Sequence, residues 1–300
     1  MKATILSETR LPDLPSASGI EIIGPTAYVI GDDSPLLYLL DAATLAPLAR
    51  ITLFETKEFG GGRIPKASKP DLEALLALTW PDGRAGVLAL GSGSTPAREV
   101  GWFVPVSGAA PHKVSLAGLY ALLRRLLPAG ETLNLEAAAA TDKDILLFQR
   151  AIGAVQAGQG LVNRVFMLPV LEVLRFLSGQ SSTLPAPRVQ QLPLPLLAGK
   201  PAGFSGATFA EGRLFVSASV EDTQDAVLDG EVLGSFVGFV DLDKQAAQLA
   251  HLTWADGRVY KGKVEGLAVR RQLAPGHWEL LLVTDDDAGG STAAIAELKL

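Results

Sequence analysis

The sequence predicts an all-β fold, a β-propeller of five four-stranded blades, with an irregular sixth blade as the alternative. Three observations predict it: a segment that recurs five times, three or four short β-like runs in each repeat, and a spare β-like run at the start of the chain. Short strands in radial repetition are typical of propellers, in which the strand edges are short and protected. Residues 1–300 are therefore predicted to form one domain.

The recurring segment places an apolar residue before a Glu, or once before a Ser, and a small or apolar residue after it. We call this Glu or Ser the anchor of its repeat. The anchors are Glu21, Glu73, Glu136, Ser205 and Glu265. They lie 52, 63, 69 and 60 residues apart, and 56 residues lead from the last anchor through the two chain ends to the first. Five units of similar length therefore account for the whole chain.

Apolar runs after each anchor predict the outer strands of each blade. Second strands are predicted at 27–30, 87–90, 145–148, 214–216 and 280–283, third strands at 36–40, 100–106, 164–168, 236–242 and 292–298, and fourth strands at 48–53, 112–116, 188–192 and 247–252. The fifth repeat ends after its third strand. The run at residues 3–7 can supply the missing outer strand, and this pairing would close the ring.

Two segments depart from the β pattern. The apolar spacing of residues 116–127 and 170–177 is helical, so both are predicted to form short helices in connections between strands. The stretch 151–203 is long enough to contain an irregular sixth blade, which is why six blades are the alternative.

Composition limits the chemistry that the chain can support. The sequence has 32 acidic and 26 basic residues, a formal net charge of −6, no Cys and three His. These counts exclude disulfides, thiolate zinc sites and cysteine nucleophiles, and they disfavour a multi-histidine metal centre. The acidic balance argues against a nucleic-acid partner. Any metal is therefore expected to have oxygen ligands, and any catalysis to depend on carboxylates and lysines.

The sequence shows no targeting or membrane segment. Residues 1–12 contain no apolar run of signal-peptide length, and no window reaches 18 consecutive apolar residues. We therefore expect a cytoplasmic monomer without a membrane span.

Propeller geometry predicts that the anchors gather at one mouth of the central channel. The first strand of each blade lines the channel, and the loop that enters it lies on the same face as the loop between the second and third strands. The residues that follow the second strands would therefore join the anchors: Asp32, Asp33, Arg150, Glu221, Asp222, Asp285, Asp286 and Asp287. The stretch from Glu221 to Glu231 is predicted to be an exposed loop.

Carboxylates packed this closely raise one another's pKa values unless positive charge compensates them. Ca²⁺ is one source of such charge, since it binds six to eight oxygen atoms. Lysine is the other, and four lysines precede anchors by two to five residues: Lys69, Lys200, Lys261 and Lys263. A structural role is the alternative, in which the anchors accept hydrogen bonds from the next blade or pair with these lysines.

The segment Val264-Glu265-Gly266-Leu267-Ala268, followed by Val283-Thr284-Asp285-Asp286-Asp287, resembles the phytase-like or esterase-like β-propeller superfamily, in a bacterial branch. Weaker copies occur at Glu21 with Asp32-Asp33 and at Glu73. The resemblance implies Ca²⁺ at the channel mouth and, in some members, hydrolysis of phosphoesters. The ligands it implies are Glu265, Asp285 and Asp286, joined by Glu21 and Glu73. Ser205, Arg150 and the lack of an export signal depart from the family pattern.

Two classes of function follow. The first is a Ca²⁺-dependent hydrolase of a small anionic phosphoester or ester. We assign the metal to Glu21, Glu265, Asp32, Asp285 and Asp286, catalysis to Glu73, Glu136, Lys69 and Lys263, and substrate binding to Arg150, Lys200, Ser205 and Lys261. The second is a propeller without chemistry that binds a small ligand or a protein partner through a structural carboxylate ring. A glycosidase is a third option, which needs two carboxylates at a defined separation.

Overall fold

The computed structural model describes residues 1–150, 162–222, 230–286 and 289–300. Along the chain, the strands before the first helix are β1 (Lys2–Leu11), β2 (Ala17–Ile23), β3 (Thr26–Gly31), β4 (Leu36–Asp41), β5 (Pro47–Thr52), β6 (Leu72–Thr79), β7 (Ala85–Gly91), β8 (Val100–Pro105) and β9 (His112–Ser115). Helix α1 (Ala117–Arg124) comes next, followed by β10 (Leu135–Ala140), β11 (Asp144–Gln149), β12 (Arg164–Pro169), helix α2 (Val170–Leu177) and β13 (Arg188–Gln191). The remaining strands are β14 (Leu196–Leu197), β15 (Lys200–Pro201), β16 (Gly203–Ala210), β17 (Arg213–Asp222), β18 (Glu231–Asp241), β19 (Ala246–Trp254), β20 (Lys263–Ala274), β21 (His277–Asp285) and β22 (Ser291–Lys299).

The strands pair almost entirely with their neighbours in the chain. Three antiparallel sheets have the orders β2-β3-β4-β5, β6-β7-β8-β9 and β10-β11-β12-β13, and β14 pairs with β15 in a short hairpin. The fourth and largest sheet has the order β16-β17-β18-β19-β1-β22-β21-β20. The all-β fold and the strands predicted in each repeat are therefore confirmed. Within 162–203, the described part of the stretch considered for a sixth blade, no further four-stranded sheet forms.

The large sheet consists of two four-stranded halves. In one half, β1 pairs antiparallel with β22, from Lys2 opposite Lys299 to Leu11 opposite Ser291. The predicted run at residues 3–7 therefore does supply the outer strand of the last repeat. The halves are joined by a short parallel pairing of β1 with β19, in which Ala3 lies opposite Leu252.

The first strands of the repeats pack side by side in a closed ring, in the order β2, β6, β10, β16, β20 and back to β2. Small residues permit this close approach of backbones. A Cβ atom built on Gly206 would lie 2.9 Å from the Cα atom of Gly266, and one built on Gly266 would lie 3.1 Å from the Cα atom of Gly19. The ring therefore leaves only a narrow central channel.

The apolar core lies between adjacent sheets rather than in the channel. Leu76 and Leu88 of the second sheet pack in one buried cluster with Ala138 and Leu147 of the third, together with Tyr120 of α1. Such face-to-face packing of apolar faces explains why the second strands of the repeats are almost continuously apolar.

The two helices fall where the sequence predicts them, in the connections that follow β9 and β12. They also pack on each other, because a Cβ atom built on Gly118 of α1 would lie 2.6 Å from the ring of Phe176 in α2. No helix among the described residues is both long enough and apolar enough to span a membrane.

Candidate functional site

A β-bulge interrupts each first strand near the end at which the chain enters it. The pairing shifts at Glu73 in β6, Glu136 in β10, Ser205 in β16 and Glu265 in β20. A bulge turns one side chain away from the regular alternation of the strand. Four of the five predicted anchors therefore occupy equivalent positions.

In β2 the bulge falls at Ser18, between Ala17 and Gly19, so the prediction that Glu21 is the fifth anchor is wrong. The apolar-Glu-apolar pattern around Glu21 lies three residues further along the strand, where pairing with β3 is regular. The Ser18 hydroxyl donates a hydrogen bond to the carbonyl of Leu72, which ties β2 to the adjacent β6.

A repeated main-chain hydrogen bond brings the ends of second strands to the bulges. In the first three sheets, the amides of Asp32, Ser92 and Arg150 donate to the carbonyls of Ser16, Asp71 and Asn134. Each acceptor precedes its bulge residue by two positions. The predicted meeting of first-strand starts and second-strand ends is therefore seen in these three sheets.

Three carboxylates line one recess at this end of the ring. Glu73, Glu136 and Glu265 surround a cavity of about 10 Å³, together with Ser18 and small residues such as Gly206. A cavity of that volume holds about one water molecule. We call this end of the ring, with the charged residues around it, the mouth.

On one side of the mouth, Lys69 lies between two carboxylates. Its ammonium group forms ion pairs with Asp32 and, at 3.0 Å, with Asp71, and the Lys69 side chain is only 10% exposed. Burial alone would lower the pKa of Lys69, but the carboxylates of Asp32, Glu73 and Asp71 outweigh it and raise that pKa. Lys69 therefore stays charged throughout the neutral range.

Two arginines complete this side of the mouth. Arg98 contacts Asp71 Oδ2 at 2.6 Å and Ser94 Oγ at 2.8 Å. Arg63, from the loop before β6, forms an ion pair with the buried Asp33. Each carboxylate that follows β3 is therefore matched by a basic side chain from residues 63–69.

On the opposite side, basic and acidic side chains alternate. Arg150 contacts Glu221 Oε1 at 2.9 Å and Glu136 Oε2 at 3.8 Å. Lys263 contacts Glu221 Oε1 at 3.5 Å and Glu265 Oε1 at 3.3 Å. We call these five residues the Arg150 network. It contains three carboxyl groups and two basic groups.

Burial determines the pKa values of the three bulge carboxylates. It raises the pKa of Glu265 to about 8, against the opposing effect of Lys263 and Arg150. Burial also raises the pKa of Glu136, and burial with the charges of Asp71 and Glu136 raises that of Glu73 well above its usual value. Burial would raise the pKa of Glu221 too, but Arg150 and Lys263 outweigh it and lower that pKa. The mouth therefore holds protonated and ionised carboxyl groups side by side at neutral pH.

One group of acidic residues within the described ranges is arranged to hold a metal ion. Oxygen atoms of Asp32, Asp71 and Glu73 lie within 4.8 Å of one another. Of the five predicted metal ligands, this group contains only Asp32. Glu265 is held instead by Lys263, and Glu21 lies deeper in the channel. The predicted catalytic residue Glu73 belongs to the group, because its bulge directs it toward the loop that follows β3.

The other predicted site residues have separate environments. Lys200 pairs with Asp222 at 2.9 Å, and the exposed Lys261 pairs with the exposed Glu231 at 2.7 Å. Ser205 is fully buried, and its hydroxyl lies 3.2 Å from that of Ser217. Nothing in these contacts brings Lys261 to the recess.

The acidic ends of β17 and β21 differ from one another. The Glu221 side chain is only 10% exposed, contrary to the predicted exposed loop, because Arg150 and Lys263 hold it at the mouth. Asp285 ends β21 opposite Lys263, and Asp286 accepts a 2.6 Å hydrogen bond from the amide of Gly290. Asp287 and the stretch 223–229 lie outside the described residues.

Sequence reasoning missed Asp71, Arg98 and Arg63. The signal for Asp71 is its position two residues before a bulge, which Ser16 shares. Both residues have positive φ angles, 55° for Asp71 and 45° for Ser16, a backbone region in which Asp is enriched among the non-glycine residues. No comparable pattern marks Arg98 or Arg63.

The chain belongs to the DUF6929 family, because the model of this family, described as a family of unknown function, matches residues 13–300. No curated protein matches the chain. The solved structures it resembles include glutaminyl cyclase from Myxococcus xanthus, with 11% identity, a TM-score of 0.50 and coverage of 99% of this chain and 97% of that one. They also include the tail fibre of Staphylococcus aureus phage P68, with 10% identity, a TM-score of 0.50 and coverage of 100% and 53%. At such identities the likeness concerns the fold, which is propeller-like.

Proposed function

We propose that this member of the DUF6929 family is a Ca²⁺-dependent hydrolase of a small phosphoester or ester, with its site at the mouth of a five-bladed propeller. The count of five rests on the closed ring of five first strands. The observation that carries the proposal is the convergence of Asp32, Asp71 and Glu73 at the edge of a recess lined by further carboxylates. The proposed location remains the cytoplasm.

The donor set of this group fits a hard cation. All its ligands are carboxylate oxygens, which Ca²⁺ prefers. Within the described ranges, the buried Oδ1 atom of Asp32 has no hydrogen-bond partner, and Glu73 forms neither a hydrogen bond nor an ion pair. Such a cation would polarise a phosphoryl or ester oxygen. The same positive charge would favour the ionised form of Glu73, which burial disfavours.

The remaining residues of the mouth divide the other tasks. Arg98, Arg150 and Lys263 attract an anionic substrate and orient it. Glu265, whose pKa is about 8, retains its proton at neutral pH and can donate it to a leaving group. Glu136 faces the same recess and can accept a proton from water. One carboxyl group as the acid and a second as the base are the usual arrangement for acid–base hydrolysis.

A binding propeller without chemistry is the second candidate, and Lys69 is the observation that favours it. Its ammonium group contacts both Asp32 and Asp71, so it supplies the positive charge that a metal ion would otherwise provide. In that case the carboxylates and cations of the mouth are structural, and a small anionic ligand or a protein loop would bind over them.

Calorimetric titration with Ca²⁺, paired with hydrolysis assays on p-nitrophenyl phosphate and p-nitrophenyl acetate, tests the first proposal. We expect Ca²⁺ to bind the wild type and to stimulate one of the two reactions. Glu73→Gln should weaken binding, because it removes one anionic ligand. Asp82→Asn, in an exposed turn with Arg84, is the matched control and should change neither result. Absence of both binding heat and activity at millimolar Ca²⁺ would refute the hydrolase and leave the binding propeller.

A further inference from the structure

Glu21 is a buried carboxyl group that the proposed function does not use. It lies three residues beyond the Ser18 bulge, which places it about 10 Å further along β2 from the mouth. Its residue surface is only 6% exposed. The hydroxyl of Thr208 lies 3.3 and 3.2 Å from the two carboxylate oxygens, and the amide of Ala77 also bonds to the carboxylate.

These partners lie on different sides of the ring. The neighbours of β2 in the ring are β6 and β20, and Ala77 belongs to β6. Thr208 belongs to β16, which is separated from β2 by β20 on one side and by β6 and β10 on the other. The contact between Glu21 and Thr208 therefore crosses the channel instead of following its wall.

We propose that Glu21 and Thr208 form a proton-linked bolt that closes the channel beneath the mouth and ties β2 to β16 across it. The bolt makes the mouth a blind recess, so that a ligand can enter and leave from one end only. It also makes the cohesion of the ring depend on whether Glu21 carries its proton.

The charges around the bolt do not compensate an ionised Glu21. The charged residues of the strands that form the ring are Glu73 in β6, Glu136 in β10, and Lys263, Glu265, Arg270 and Arg271 in β20, whereas β16 has none. None of them forms an ion pair with Glu21 within the described ranges, and the titratable residue opposite Glu21 in β3 is Tyr28. Burial raises the pKa of Glu21 to about 8, and the hydrogen bonds from Thr208, Ala77 and Ile22 only partly oppose this effect. An ionised Glu21 would place an unpaired charge inside the ring.

The sign of the pH dependence follows from this shift. The folded state holds the proton up to about pH 8, whereas an unfolded Glu releases it near its ordinary pKa of 4.5. Stability from the bolt is therefore complete below the unfolded pKa and is lost as the pH rises toward 8. Above pH 8 the bolt is weakened, because its carboxylate is charged.

Urea unfolding between pH 5 and pH 9 tests the bolt with the uncharged variant Glu21→Gln. We expect the equilibrium constant of unfolding to rise with pH in the wild type, by about 100- to 1,000-fold more across this range than in the variant. The reason is that each unit of pKa shift changes this constant by a factor of about ten. Glu55→Gln, at an exposed position, is the control and should follow the wild type. An identical pH dependence for Glu21→Gln and the wild type would overturn the proposal.

A second measurement tests the proposal if the Glu21→Gln variant does not fold. Hydrogen exchange on the wild type, expressed as protection factors, should show that β2 and β16 lose protection between pH 7 and pH 9 while the outer strand β5 changes little. Equal loss of protection in all three strands would overturn the proposed bolt. Thr208→Val should reproduce part of the loss at pH 7, since it removes the hydroxyl that reaches across the channel.

Discussion

Replacement of Arg150 by Met is expected to lower the free energy of unfolding by about 3–5 kcal/mol, the usual cost of leaving one partner of a buried ion pair without the other. The Arg150 side chain is 17% exposed, and it contacts Glu221 at 2.9 Å and Glu136 at 3.8 Å. A charge pair about 4 Å apart is worth about 4 kcal/mol at an effective dielectric constant of about 20. Met preserves an aliphatic stem against Gly203, because the Arg150 Cγ atom lies close to that glycine. A Cβ atom built on Gly203 would lie 2.7 Å from it. The loss therefore reports mainly the charge.

Urea denaturation monitored by tryptophan fluorescence is the assay for this change. Arg84→Met is the matched control, because its pair with Asp82 is 40% and 44% exposed and should contribute no more than about 1 kcal/mol. Adding Glu221→Gln to Arg150→Met should restore part of the lost stability, since it removes a carboxylate left without its partner. If Arg150→Met and the control cost the same, or the second substitution restores nothing, the Arg150 network is not the stabilising element that its geometry indicates.

Three further predictions address other parts of the molecule. Lys69→Met should lower the free energy of unfolding by about 3–5 kcal/mol in calorimetry without metal, and millimolar Ca²⁺ should restore part of it if the carboxylates beside it bind the ion. Glu265→Gln should reduce the fall in stability between about pH 5 and pH 8, because the folded state of the wild type retains this proton to about pH 8. Tyr120→Phe should cost about 1–3 kcal/mol in urea unfolding, since its hydroxyl donates a 2.6 Å hydrogen bond to the buried carbonyl of Gly91.

Each of these predictions has a result that would contradict it. If Ca²⁺ does not change the stability of Lys69→Met, no metal ion replaces the lysine as the counter-ion of Asp32 and Asp71. That result would favour the binding propeller over the hydrolase. If Glu265→Gln leaves the pH profile unchanged, the proton of that carboxyl group does not contribute to stability. A cost below about 0.5 kcal/mol for Tyr120→Phe would mean that water replaces the hydroxyl at the Gly91 carbonyl.

The strands could be predicted because their signal is local and repeated. Runs such as 87–90 and 280–283 are apolar throughout, as expected for second strands that are packed between sheets on both faces. The bulge in β2 could not be located in the same way. Gly19-Ile20-Glu21 imitates the anchor pattern, and only the pairing of β2 with β3 shows that the side chain turned out of register is Ser18.

The composition of the mouth was only partly predictable, because its basic partners come from outside the repeated motif. Lys69 and Lys263 lie close to an anchor in sequence and could be found by inspection. Arg98 reaches Asp71 from the segment between β7 and β8, and Arg63 reaches Asp33 from a long connection between sheets. The first contact joins two loops of one sheet and the second joins loops of neighbouring sheets, and the spacing of the repeated motif records neither.

The pairing of β1 with β22 has a consequence for how the chain folds. Lys2 lies opposite Lys299, so β1 leaves the ribosome long before its antiparallel partner β22 is synthesised. Until then, β1 carries an unpaired edge that could join the wrong strand, a hazard of contacts between residues distant in the chain. Earlier sheets such as β2-β3-β4-β5 need only local pairing and can form as they emerge. Ring closure is therefore expected to be the late and slow event in biosynthesis.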